Sequence, residues 1–242
     1  MKKIFLLIFA INLLFSYKAK VIPYKEYRIS SAVSGQVVFV DKNLEATEIN
    51  NKLIVKIDDY QNRVDLNNLL LKKTILLKEK NNLQEIVNRK YEIYKRYENL
   101  KTKSKLEKDL KFFDYINSLN QLLNLNITLS DIDANIKKLN DIIAKKSIKA
   151  SGYLVSILVD EGDYVMPGKL IAKVDDISKQ KLYVYIPIDK NIENKKVYID
   201  GRKTNFKFKV FKVADENYIT SYKVEIITTN LKVGKVVDVS FK

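Results

Sequence analysis

The sequence predicts an α+β fold in which a long antiparallel coiled-coil α-hairpin is inserted between the two halves of a small β-sandwich and followed by a small β-barrel. Three observations carry that expectation. Between Gly35 and Gly152 the chain runs 116 residues without Gly or Pro, mostly at the apolar spacing of long helices. A short β-like stretch before this run recurs after it at a constant offset of 117 residues. From Lys181 onward, short alternating stretches follow one another between polar turns.

Met1-Lys2-Lys3 and the apolar residues 4–15, interrupted only by Asn12, have the basic start and short apolar core of a secretory signal. A spanning helix needs about 20 apolar residues. Residues 1–19 are therefore expected to be a signal peptide, removed near Ser16 or Ala19, with retention as an anchor as the alternative. The chain has no Cys, which excludes a lipid-modified N-terminus.

Residues 26–59 form the first β half, with Val37 to Val40 as a strand and Leu53, Val55 and Ile57 alternating inward. Residues 147–176 form the second. Ser34-Gly35 recurs as Ser151-Gly152, and the stretch from Lys52 to Asp59 recurs from Lys169 to Asp176. Each copy has only about 25 residues, too few to close a core alone, so the two are expected to pack on each other.

Residues 60–146 between them read as two helices. Over residues 61–101 the heptads place a at Leu69, Leu76, Leu83, Lys90 and Tyr97, and d at Lys72, Glu79, Ile86, Ile93 and Leu100. The second helix takes a at Tyr115, Leu122, Leu129, Ile136 and Ile143, and d at Ser118, Leu125, Ile132 and Leu139. Ser104-Lys105-Leu106-Glu107 has the spacing of a capping box, which marks a helix start and a turn just before it. Arms of some 40 residues would reach roughly 60 Å at 1.5 Å per residue. In residues 177–242, strands are expected at 181–188, 197–199, 206–213, 222–228 and 236–241, enough for a small barrel.

Ala150-Ser151-Gly152, Glu161-Gly162-Asp163-Tyr164-Val165 and Pro167-Gly168-Lys169-Leu170-Ile171 resemble the second lipoyl half-motif of the HlyD-type membrane fusion proteins. Leu231 to Val239 looks like the end of that family's barrel. The resemblance implies a lipoyl-like sandwich split by the hairpin and a non-catalytic periplasmic adaptor. Its partners would be an inner-membrane transporter of the RND or MacA-like ABC type and an outer-membrane TolC-like channel, with the adaptor assembled as a homo-oligomer, a hexameric ring. The membrane-proximal domain of RND-type adaptors is expected to be missing or vestigial. In channel-engaging adaptors the tip carries an Arg, a Leu four residues on and a Ser beyond. Arg96 and Leu100 match the first two; Ser104 matches only with a loop three residues shorter. These three are the candidate tip contacts, although Leu100 also fits the seam and Ser104 also fits a cap.

Other functions find little support. No His, no Cys and only two Met leave zinc, thiol and copper chemistry without ligands, so no cofactor is expected. The formal charge of +15 comes from Lys spread through every segment, which argues against nucleic acid. Asp58-Asp59 and Asp175-Asp176 are adjacent pairs on a repeated strand, where neighbours face opposite ways, and neither pair makes a catalytic dyad. Capping of the first helix is the expected role of Asp58 or Asp59. A biotinyl or lipoyl carrier keeps its halves within one short domain, and a stand-alone envelope coiled coil needs no transporter; both remain as rivals.

Overall fold

The computed structural model describes residues 16–214 and 218–242. Strands β1 (Tyr17–Lys20), β2 (Ile22–Ser30), β3 (Gly35–Val40) and β4 (Thr47–Ile57) precede helices α1 (Tyr60–Asn99) and α2 (Lys105–Lys145). They are followed by β5 (Ser147–Ile157), β6 (Tyr164–Val165), β7 (Leu170–Pro187), β8 (Val197–Ile199), β9 (Arg202–Lys203), β10 (Phe208–Ala214), β11 (Ser221–Thr228) and β12 (Val236–Phe241). The chain is thus α+β, with one pair of long helices and antiparallel sheets.

The two repeat copies share one core. Ile54, Val55 and Ile57 from the first and Ile171, Ala172 and Val174 from the second, each within 1% of full burial, lie in a single apolar cluster. Gly35 lies against Ile57, and Gly152 lies against Val174, so the sequence offset of 117 is kept in three dimensions. The inward alternation of the first copy is broken. A bulge between Leu53 and Val55 leaves Leu53 half-buried and turns Ile54 inward, and a bulge in β3 leaves Val38 and Phe39 exposed.

β7 joins this unit to a second one. It pairs with β2 and β5 along its first half and with β11 along its second, where Leu182, Val184 and Ile186 alternate into another core with Val224, Ile226, Val237 and Val239. The opposing sheet has the order β1-β12-β8-β9. At the junction the buried Gln180 donates to the Ile177 carbonyl and accepts from the Leu231 N–H, so no polar atom is stranded there. Residues 1–15 of the expected leader lie outside the described residues, and residues 17–19 at its expected end lie in a strand. Tyr17–Lys20 is strand β1, and Ala19 and Val21 are buried in the second core. Removal near Ser16 would spare the strand, whereas removal at Ala19 would delete most of it.

α1 and α2 form an antiparallel pair, tied by Lys73 to Asp133 at 2.6 Å. The α2 seam runs where its heptads placed it, through buried Ser118, Leu122, Leu125, Leu129 and Ile132. Ser118 is accommodated because its hydroxyl donates to the Asp114 carbonyl. The α1 seam departs from most of the expected d positions: Leu69, Lys73, Leu76, Lys80, Leu83, Val87, Lys90, Tyr94 and Tyr97 are buried or half-buried, while of the expected d positions Lys72, Glu79, Ile86 and Leu100 are exposed and Ile93 is half-buried. Three lysines thus lie along the apolar seam, with their stems covering it and their ammonium groups reaching its edge. The observed register makes Lys80→Leu stabilising by about 1 kcal/mol and Glu79→Leu neutral, read as thermal melting of the helical circular dichroism signal.

Candidate functional site

The base of the hairpin is closed by backbone bonds. The Ile57 N–H donates to the Lys146 carbonyl and the Asp58 N–H to the Gln36 carbonyl, each at 2.8 Å. The two carboxylates divide the work expected of one. Asp58 Oδ1 accepts from the Tyr60 N–H at 3.0 Å, while Asp59, at the N-cap position, turns its buried side chain to Arg63 Nε at 2.7 Å and Lys56 Nζ at 3.6 Å. Burial pushes the Asp59 carboxyl up, but Arg63 and Lys56 outweigh it and hold the group below the ordinary range. In the second repeat copy, Asp176 accepts from the Ser178 N–H and hydroxyl, and burial with Glu26 opposite pushes Asp175 up. Each of the four has its own partners or surroundings, and no pair converges on a common point.

The other end of the hairpin is the candidate interaction site. Tyr91, Tyr94, Phe112 and Tyr115 stack between the helices just below it, with ring centroids 5.3 to 6.3 Å apart, and stiffen the last turns. The turn itself is pinned by the capping box: Ser104 Oγ accepts from the Glu107 N–H at 3.3 Å, and Glu107 Oε2 accepts from the Ser104 N–H at 2.9 Å. Lys108 Nζ donates to the Glu98 carbonyl at 3.0 Å and stitches α2 to the end of α1.

Lys103, with the Ser104 N–H and hydroxyl, pulls the Glu107 carboxyl down to about 2. A carboxyl held below its unfolded value stabilises the fold above that value and loses the contribution as the pH falls toward its folded value. The first turn of α2 should therefore fray as the pH falls from about 4.5 toward 2, followed by amide exchange or NMR at residues 104–108. Glu107→Gln should remove the pH dependence of that fraying.

The three tip candidates come out differently. Arg96 lies in the last turn of α1, exposed, and its guanidinium has no hydrogen-bond or ion-pair partner among the described residues. Leu100, at the C-cap of α1, is 45% exposed rather than in the seam. Ser104 is the N-cap of α2, with its hydroxyl engaged by Glu107, so its local role is structural. Sequence reasoning missed Leu106, Leu110 and Phe113, which are 69%, 54% and 58% exposed on the outer side of α2. The signal was present in the correct α2 heptads, where all three fall at outer positions that an isolated hairpin would fill with polar residues. Lys101 and Lys105 beside them are also unpaired among the described residues. The tip therefore presents bare aliphatic and aromatic surface framed by free cations, which suits a partner surface with apolar grooves and carboxylates or carbonyls.

No protein-family model matches this sequence, and no curated protein matches it. Solved structures do. MacA from Actinobacillus actinomycetemcomitans is 16% identical, with a TM-score of 0.77 over 94% of this chain and 78% of that one. The membrane fusion protein Spr0693 from Streptococcus pneumoniae R6 is 12% identical, with a TM-score of 0.63 over 94% of this chain and 99% of that one. A MacA–MexA chimeric protein containing the Pseudomonas aeruginosa MexA α-hairpin domain is 18% identical, with a TM-score of 0.57 over 94% of this chain and 80% of that one. The chain has the fold of these proteins, helical hairpin included. Among the described residues, no helix is long and apolar enough to cross a membrane.

Proposed function

We propose that this chain is a HlyD-type membrane fusion protein, a non-catalytic periplasmic adaptor that links an inner-membrane transporter of the RND or ABC type to a TolC-like outer-membrane channel. The observation that carries the reading is the hairpin: a stiff antiparallel pair of 40- and 41-residue helices standing on a core made of both repeat copies, with unpaired Arg96, Lys101 and Lys105 and bare Leu106, Leu110 and Phe113 at its tip. The first β-unit is the split lipoyl-like sandwich in this reading, and the second is the small β-barrel. Likeness of fold over 94% of the chain supports the assignment.

The mechanism is mechanical coupling. Several copies stand side by side as a homo-oligomeric ring, six in the family's pattern, with tips toward the channel and β-units toward the transporter. At the tip, Arg96 makes paired hydrogen bonds to partner carbonyls or carboxylates, Leu100 fills a groove between partner helices, and Ser104 sets the turn that presents them. The rod transmits position rather than chemistry, so its stiffness is the functional property.

Arg96→Glu should lower transport through the assembly while leaving the helical circular dichroism signal unchanged, since Arg96 makes no contact the fold depends on. Unchanged transport would remove Arg96 from the tip contact.

A further inference from the structure

The outer face of the first β-unit carries a recess of about 190 Å³ that neither the core nor the hairpin accounts for. It lies over β7, between β2 and the part of β5 where a bulge between Leu154 and Ser156 leaves Val155 40% exposed. Val155 and Tyr27 are the apolar part of its lining. The rest is charged: Glu26, Arg28, Lys173 and Asp175.

These charges are arranged against the rule for a stable sheet. Glu26 stands directly across from Asp175, and Arg28 directly across from Lys173, so like faces like at two successive positions of one face. Opposite signs are neighbours only on the diagonals, about 7–8 Å apart. None of the four side chains has a hydrogen-bond or ion-pair partner among the described residues. Burial and the nearby Glu26 push the Asp175 carboxyl up, as two uncompensated acids require. Exchanging Glu26 and Arg28 would set opposite charges across both pairs without changing the composition, so the sequence forgoes stability here. Local rules are broken in this way where a site has another use for its residues. The recess thus has two carboxylates at one end and two cations at the other, separated by two residues of strand or about 7 Å. Tyr153, beside Asp175 on β5, stands between the acidic end and Glu48 on β4.

We infer that this recess binds a small zwitterion of the α-amino acid class, with its ammonium between Glu26 and Asp175, its carboxylate between Arg28 and Lys173, and its side chain against Val155 and Tyr27. Such a molecule supplies at once both counter-charges that the sheet lacks, through charge-assisted hydrogen bonds. A simple cation or anion would meet one end and leave the other unneutralised. The recess is smaller than the usual pocket for a drug-sized ligand, which restricts it to a molecule of this size.

The site lies on the β-unit and not at the hairpin tip, and it is tested without transporter or channel, so its failure leaves the adaptor reading standing. The probe is L-alanine, titrated into the isotope-labelled full chain and followed by NMR amide shifts, beside propionate and ethylammonium, each of which keeps one of its two charges. Saturable shifts centred on residues 26–28, 153–156 and 173–175 are expected with L-alanine, and no saturation over the same range with either control. The double substitution Glu26→Arg and Arg28→Glu should melt at a higher temperature than the parent, because opposite charges then face each other across β2 and β7, and should bind L-alanine roughly tenfold more weakly. Shifts that fail to saturate, that saturate equally with propionate or ethylammonium, or that persist undiminished in the double variant overturn the proposal. Shifts of the same residues that follow protein concentration with no L-alanine present would make this face a contact between copies, and overturn it as well.

Discussion

Gly152→Ala should destabilise the protein by about 2–4 kcal/mol, as the sum of backbone strain and overpacking. Gly152 has φ +121°, a conformation that side chains disfavour, and a Cβ there would lie 2.8 Å from the Asp175 carbonyl oxygen and 2.9 Å from Val174 Cγ1. The carbonyl belongs to β7 where it pairs with β5, so it cannot move without opening the sheet. Gly35→Ala provides the internal comparison, because its Cβ would meet only the Ile57 side chain closely, at 2.6 Å. A side chain can turn aside where a carbonyl cannot. Chemical denaturation should therefore place both variants below the parent and Gly152→Ala lowest, with the loss read from the β-signal as well as from the helices. Equal stability of Gly152→Ala and parent would mean that β5 and β7 of the second repeat copy do not pair as described.

Excising the hairpin should have the largest functional effect and a small structural one. Lys56 pairs with Ser147, and the Ile57 N–H already reaches the Lys146 carbonyl, so the two ends of the insertion are neighbours. A short Gly/Asn turn in place of residues 60–145 closes the same ladder as an ordinary β-hairpin. The repeat copies then fold on each other, and both β cores keep all their members, none of which comes from the helices. The expected outcome is a soluble β protein with little helical signal and no transport activity in the assembly. Failure of this variant to fold would show that the helices are needed to bring the copies together, which the closed base argues against.

How much was legible in the sequence depended on what each residue type reveals. α2 could be read because its seam is apolar except for Ser118, and a small hydroxyl that donates to its own helix does not disturb packing. α1 was misread by one position at its d sites because Lys73 and Lys80 occupy the seam while Ile86 and Leu100 lie off it. An apolar tally follows side-chain type, whereas packing follows the stem, and lysine has a four-carbon stem. The repeat exposed the shared core, but not the bulges that carry Ile54 inward, since a bulge is a property of two paired strands. β1 was hidden because its inward-facing small residue, Ala19, was read in the sequence as a place where a leader could end. At the tip, the family pattern directed attention to Arg96, Leu100 and Ser104, and away from Leu106, Leu110 and Phe113, whose outer heptad positions already marked them.

The whole account turns on whether this rod joins two membranes. The most direct measurement is recovery of the tagged full-length chain from cells cross-linked in place, with the co-purified proteins identified by mass spectrometry. The adaptor reading predicts an inner-membrane transporter and an outer-membrane channel together in the parent, and the transporter without the channel when residues 60–145 are excised. Recovery of neither from the parent, with the chain itself abundant and folded, would contradict it.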